Sequence, residues 1–183
     1  MARVRFVQKE DADPVIKELF EKLESNKAPI INLYRAVGNS PKVGRNFIRL
    51  GNAILNPEIL DPKLRELAIL RVGNLLKSEY EFTKHVTIGK GAGVTMDQIN
   101  ILSDWKASEK YSEIERAVLQ YTDEVTLNVK VSDATFSNLK RFFNDAQIVK
   151  LTMTIGYYGM VCRVLVPLEI ELEPGEKAVA PVM

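Results

Sequence analysis

The sequence predicts an all-α protein, and three observations carry that prediction. Apolar residues recur three and four apart in one segment after another, the period of an amphipathic helix. The segments open on helix-capping patterns, Asp-Pro, Ser-Pro, S-x-x-E or T-x-x-Q, and most end near a glycine or proline. No run longer than a few residues shows the strict alternation of a half-buried strand.

Residues 2–7 (ARVRFV) read as a short extended arm. Asp13 then caps a helix with Pro14 at its first position, and Ile16, Leu19, Phe20 and Leu23 repeat at helical spacing up to Ser25. Pro29–Val37 reads as a short helix ended by Gly38, and Ser40-Pro41 opens another with Val43, Phe47, Leu50 and Ile54 along one stripe. Asp61 caps Pro62–Leu76, which is apolar nearly all round from Leu67 onward and so belongs at the centre of a bundle. Ser78 and Glu81 form a capping-box pattern opening a helix to about Lys90, stopped by Gly91 and Gly93. The same pattern recurs at Thr95 and Gln98, before a short helix to Leu102, with Trp105 in the connection that follows. It recurs again at Ser112 and Glu115, opening Glu113–Asn128 with Ala117, Val118, Tyr121 and Val125 inward. Ser132 or Asp133 caps a helix to about Asn144, and a last long helix runs from Ala146 to about Val166, ended by Pro167. One domain over residues 1–183 is the expectation, with 173–183 a loose tail or a segment lying on a neighbouring subunit.

Composition narrows the function. With 46% apolar and 27% charged residues the chain has the make-up of an ordinary soluble protein, and a formal charge of +1 without a basic block gives nucleic acid or an anionic membrane no handle. A single cysteine, Cys162, excludes an intrachain disulfide and CxxC redox chemistry within one chain. Residues 1–14 contain no apolar core of signal-peptide length, and the hydrophobic region 148–168 is broken by Lys150 and Arg163, as in a buried helix. No membrane association is expected, and the expected location is the cytoplasm.

The chemistry concentrates in residues 60–96. His85 is the only histidine of the chain, and Glu81, four residues before it, shares its helix face. Glu66 lies one helix earlier and is followed by ten residues of which only Arg71 is charged, so its carboxylate enters apolar surroundings and needs a partner. The three side chains are expected to meet between two packed helices. Each also has a plainer reading: Glu81 as the capping residue of its own helix, His85 as an exposed helix residue paired with Glu81 or a satisfied core histidine, and Glu66 in a salt bridge with Arg71 or with neighbours of Arg65 elsewhere. One nitrogen and two carboxylates could also hold a divalent ion, but no HExxH or EF-hand pattern accompanies them, and neither metal nor cofactor is expected. Ser78 and His85 stand about 10 Å apart along one helix, too far for a nucleophile and its base. Tyr34, Arg35, Tyr157 and Tyr158 are candidates to line a substrate pocket, with Arg35 available to a carboxylate. Cys162, in an apolar helix, reads as a small hydrophobe.

RELAILRVGNLLKSEYEFTKH followed by GAGVT resembles the carboxymuconolactone decarboxylase and AhpD-like alkylhydroperoxidase superfamily, and PIINLYRAVGNSP, ERAVLQYTDEVT, VSDATF and IGYYGMVCRVL extend the likeness over most of the chain. In the peroxidase branch a glutamate precedes a CxxC pair and a histidine. On this chain those positions hold Glu66, then Ser78 and Glu81 in place of the cysteines, then His85. Glu81 and His85 resemble a Glu/His pair of the decarboxylase branch, whose pattern lacks Glu66. The resemblance implies an AhpD-like helical bundle that assembles as a homotrimer or homohexamer. It also implies proton-transfer chemistry on a small lactone or ring-derived acid, with His85 as acid/base, Glu66 holding its ring and Glu81 positioning the substrate or sharing the proton. A non-catalytic helical oligomer binding a small ligand is the second reading, and a peroxidase-related protein without CxxC chemistry the third.

Overall fold

A computed structural model describes residues 1–182; Met183, the last residue of the expected tail, lies outside the described residues. Among the described residues all regular structure is helical. The chain forms two compact units, Met1–Leu55 with Leu165–Lys177, and Asn56–Val164 with the segment that begins at Ala178.

The first unit contains α1 (Pro14–Ser25), α2 (Asn32–Val37) and α3 (Pro41–Leu55). Asp13 caps α1 by accepting from Val15 N at 2.9 Å, and Ile16 and Phe20 join Val7 in a small core against which Ala12, Leu23, Ile30 and Tyr34 pack. α2 starts at Asn32 rather than Pro29. The buried face of α3 is Gly44, Phe47, Ile48, Gly51 and Ile54, so the predicted stripe is rotated, leaving Val43 and Leu50 exposed. Glycine sets that rotation, because a Cβ at position 44 would collide with the backbone of Val37. Residues 168–173 return to this unit, where Arg3 N donates to Leu168 O and Asn32 N to Glu173 Oε1.

The second unit is built on α4 (Pro62–Leu75), flanked by α5 (Glu79–Gly91) and α7 (Glu113–Asn128). Asp61 accepts from Leu64 N at 3.1 Å, which caps α4, and every residue from Leu64 to Asn74 is buried. Leu67 and Leu70 pack with Phe82, Val86, Ile99, Leu102, Trp105 and Leu119 in the main core. Here α6 (Met96–Asn100) ends early and residues 102–104 form a 3-10 turn that leads Trp105 into the interior. α8 (Asp133–Leu139) also stops short of Asn144.

The long helix α9 (Asp145–Leu165) is apolar enough, by length and composition, to cross a membrane, yet 56% of its apolar window is buried within the protein. Leu151, Ile155, Tyr158, Val161 and Cys162 form its inward side. From Ala178 the chain lies on this unit: Thr83 Oγ1 and the backbone of Val179 exchange two hydrogen bonds, and Asn74 Nδ2 donates to Val182 O at 2.6 Å.

Arg71 is the charge this core has to accommodate. Its guanidinium binds both oxygens of Asp123, at 2.6 and 3.1 Å, and also reaches Asn74 Oδ1 and Leu102 O, while Trp105 Nε1 donates to Asp123 Oδ2. A buried pair is costly to break because the remaining charge has no solvent. Asp123→Ala should therefore lower stability by about 3–5 kcal/mol, read as a lower urea midpoint at unchanged slope.

Candidate active site

α4 and α5 run close together because two glycines face the partner helix. A Cβ at Gly73 would stand 3.5 Å from Phe82 N, and one at Gly89 would meet Leu70 Cδ1 at 3.1 Å and Glu66 Cβ at 3.7 Å. At this spacing Glu66, fully buried, extends its carboxylate to the imidazole of His85, with Oε2 2.6 Å from Nδ1. The other oxygen, Oε1, accepts from Nε and Nη2 of Arg65 at 3.0 and 2.9 Å. At the far edge of the ring, Glu81 Oε1 lies 2.9 Å from Nε2. That contact is close enough for strong charge attraction, but it lacks hydrogen-bond alignment, and Oε1 has no directed donor. The Nε2–H bond is therefore not committed to Glu81. Tyr158 from α9 closes the arrangement, its ring edge-on to the imidazole at 4.9 Å and packed in turn on Tyr157 at 5.3 Å.

Burial works against a charged imidazole, but the charge of Glu81 and the hydrogen bond donated to Glu66 outweigh it and raise the His85 pKa to about 9. Burial likewise opposes ionisation of Glu66, and the contacts from His85 and then Arg65 overcome it, holding the carboxyl below its ordinary range. The cluster thus has two cations and two anions in a row: Arg65, Glu66, His85, Glu81. Its carboxylates take opposite edges of the imidazole, which does not converge three donors on one metal position, and no such convergence of His, Cys, Asp and Glu occurs among the described residues.

The capping pattern at 78–81 is not realised. Thr95 and Gln98 form a reciprocal capping box, and Ser112 N donates to Glu115 Oε2 at 2.8 Å. At α5 the Ser78 hydroxyl makes no cap, Ser78 N donates instead to Gly73 O, and both Ser78 Oγ and Glu81 Oε1 are buried without a hydrogen-bond partner. Cys162 lies beside them. Burial and then the charge of Glu81 push its thiol up to about 12, against a smaller opposing contact from Ser78.

Of the residues singled out in the sequence, Glu66, Glu81, His85, Tyr157 and Tyr158 lie in this cluster. Tyr34 and Arg35 belong to the first unit, where Tyr34 packs on the small core and Arg35 Nη1 donates to Gln8 Oε1 at 2.7 Å. The partner of Glu66 is Arg65 rather than Arg71. Sequence spacing hid this, since adjacent helix residues do not face each other and only the length of arginine lets it fold back. The proximity of Cys162 to Ser78 and Glu81 left no local signal, because α9 meets α5 only in the tertiary fold.

The carboxymuconolactone decarboxylase family model matches residues 41–124. The uncharacterized protein YnjA of Escherichia coli K12 is 29% identical over 107 residues, 57% of this chain and 58% of that protein. The chain spans about three-fifths of the length of the curated relatives it matches. Among solved structures, ATU0492 of Agrobacterium tumefaciens, a protein of unknown function linked by name to the antioxidant defence protein AhpD, has a TM-score of 0.71 at 27% identity. It covers 76% of this chain and 96% of its own. The debrominase Bmp8 in complex with 2,3,4-tribromopyrrole has a TM-score of 0.74 at 20% identity, with 93% and 91% covered, which shows a shared fold alone.

Two outcomes follow from this geometry. Thr95→Ala should cost about 1 kcal/mol for a lost cap, whereas Ser78→Ala should change the unfolding free energy by only a few tenths of a kcal/mol, since its hydroxyl caps nothing. The raised pKa of His85 means the folded protein holds a proton that an unfolded histidine releases near 6.5. Its contribution to stability is then complete below pH 6.5 and lost as the pH climbs through about 9. Urea unfolding across that window should show the decline, and His85→Gln should flatten it.

Proposed function

We propose that this chain, which the carboxymuconolactone decarboxylase family model matches over residues 41–124 and which has a single cysteine and hence no CxxC pair, is a cofactor-independent acid–base enzyme of that family acting on a small lactone or ring-derived acid. The observation that carries the proposal is the 2.6 Å contact of Glu66 with His85 Nδ1, with Glu81 Oε1 2.9 Å from Nε2 at the opposite edge of the ring. Glu66 fixes the ring, and the charge of Glu81 together with the Glu66 contact keeps the imidazole protonated at neutral pH, so His85 enters the reaction as an acid.

In decarboxylation the bond from ring carbon to carboxylate breaks, carbon dioxide leaves, and the electron pair stays on the ring, spread into the adjoining carbonyl. His85 Nε2 delivers its proton to that carbon. The neutral imidazole then takes a proton from solvent, with Glu81 attracting it back to the ring edge. Tyr157 and Tyr158 supply the apolar wall and hydroxyls that orient a flat substrate. Bmp8, a debrominase with a tribrominated pyrrole bound in the same fold, supports a small ring compound as the ligand class. We place the enzyme in the cytoplasm as a homotrimer or homohexamer. Thiol-peroxidase chemistry is disfavoured, because Ser78 and Glu81 occupy the positions of the redox pair and Cys162 remains a thiol up to about pH 12.

A panel of lactone acids and related enones, assayed for carbon dioxide release and loss of ring absorbance, tests the proposal. His85→Gln should lower kcat by about 10²–10⁴-fold, the usual range for a general acid, with helicity and assembly retained. Turnover unchanged by that substitution would remove His85 from the chemistry.

A further inference from the structure

Arg65 is the one member of the buried cluster without a part in the chemistry above. It is 6% exposed, sits on the residue before Glu66, and commits two nitrogens to a single oxygen of that carboxylate. An arginine exposed to solvent would serve solubility; this one turns inward, and its charge falls at the end of a row that continues through Glu66 and His85 to Glu81. The ionisable groups around the imidazole are Glu66 from α4, Glu81 from its own helix and Tyr158 from α9, with Cys162 of α9 beside Glu81.

We propose that Arg65 is a positioning residue for the His85 proton: by occupying Oε1 of Glu66 it offsets part of that carboxylate's hold on the imidazolium, so that the proton can be released to substrate. Without Arg65 the imidazolium would be the sole cation between two buried carboxylates, and in a low dielectric their combined attraction would clamp the proton in place. Arg65 thereby sets how acidic the acid is, while making no contact with the ring itself. The inference rests on His85 being the acid, but it concerns a property of the free protein that can be measured without turnover.

The only histidine of the chain gives a single imidazole signal, so an NMR titration of the intact protein reads the midpoint directly. Arg65→Gln should raise the His85 midpoint by about one pH unit, as expected for loss of one nearby cation. Arg65→Lys, which keeps the charge and loses the fork, should move it by less than about half of that. A midpoint that falls or stays in Arg65→Gln overturns the proposal, since a residue that merely props Glu66 in place would lower it when removed. Equal shifts in Arg65→Gln and Arg65→Lys overturn it too.

If Arg65→Gln does not fold, the neutral pair Glu66→Gln/Arg65→Gln leaves no unmatched charge. Its midpoint should lie above that of Glu66→Gln alone, and coincident midpoints reject the idea. Where turnover is found, the pH profile of kcat should move with the midpoint. An Arg65 effect on the titration in a protein with no turnover keeps this inference and rejects the enzymatic reading; turnover dependent on His85 with an unmoved titration does the reverse.

Discussion

The contact between Glu66 and His85 is the constraint on which the second unit depends. Placing a carboxylate at full burial in the middle of a central helix is unfavourable unless every part of its charge is answered. Here one oxygen is taken by Arg65 and the other by the imidazole, and the imidazole is balanced in turn by Glu81. Each partner is needed because of the one before it. The same core solves the same problem separately for Arg71, with Asp123, Asn74 and a backbone carbonyl, so that two buried charge networks share α4 without sharing a residue.

What distinguishes the two networks is completeness. Around Arg71 the donors and acceptors meet in good geometry, as in a structural element. Around His85 the accounting is left open at one end: Glu81 Oε1 is near its partner yet out of line, and Ser78 Oγ, buried beside the Cys162 thiol, makes no well-directed hydrogen bond. Native cores rarely tolerate such atoms without a reason in function.

Much of this was legible in the sequence, for physical reasons that differ by residue. The helices were readable from caps and period, and the placement of Glu66 against His85 from the cost of an isolated carboxylate in an apolar run. The face of α3 was misjudged because glycine contributes nothing to an apolar stripe, although Gly44 and Gly51 are what let the helix pack. The capping box at 78–81 failed because a local pattern cannot register that its two side chains are worth more inside, next to α9, than at the helix end. Arg65 was hidden by its adjacency to Glu66, and the docking of residues 178–182 on α4 and α5 by a tail composition that suggests looseness.

Gly89 lies one turn beyond the histidine, where α5 passes Leu70 and the stem of Glu66. A methyl group there would crowd Leu70 Cδ1 at 3.1 Å, so that Leu70 would have to give by a few tenths of an ångström, and it would fill the remaining space against Glu66 Cβ at 3.7 Å. The close fit of the two helices beside Glu66 is therefore set in part by a residue that has no side chain, and added bulk at that position is felt first by Leu70.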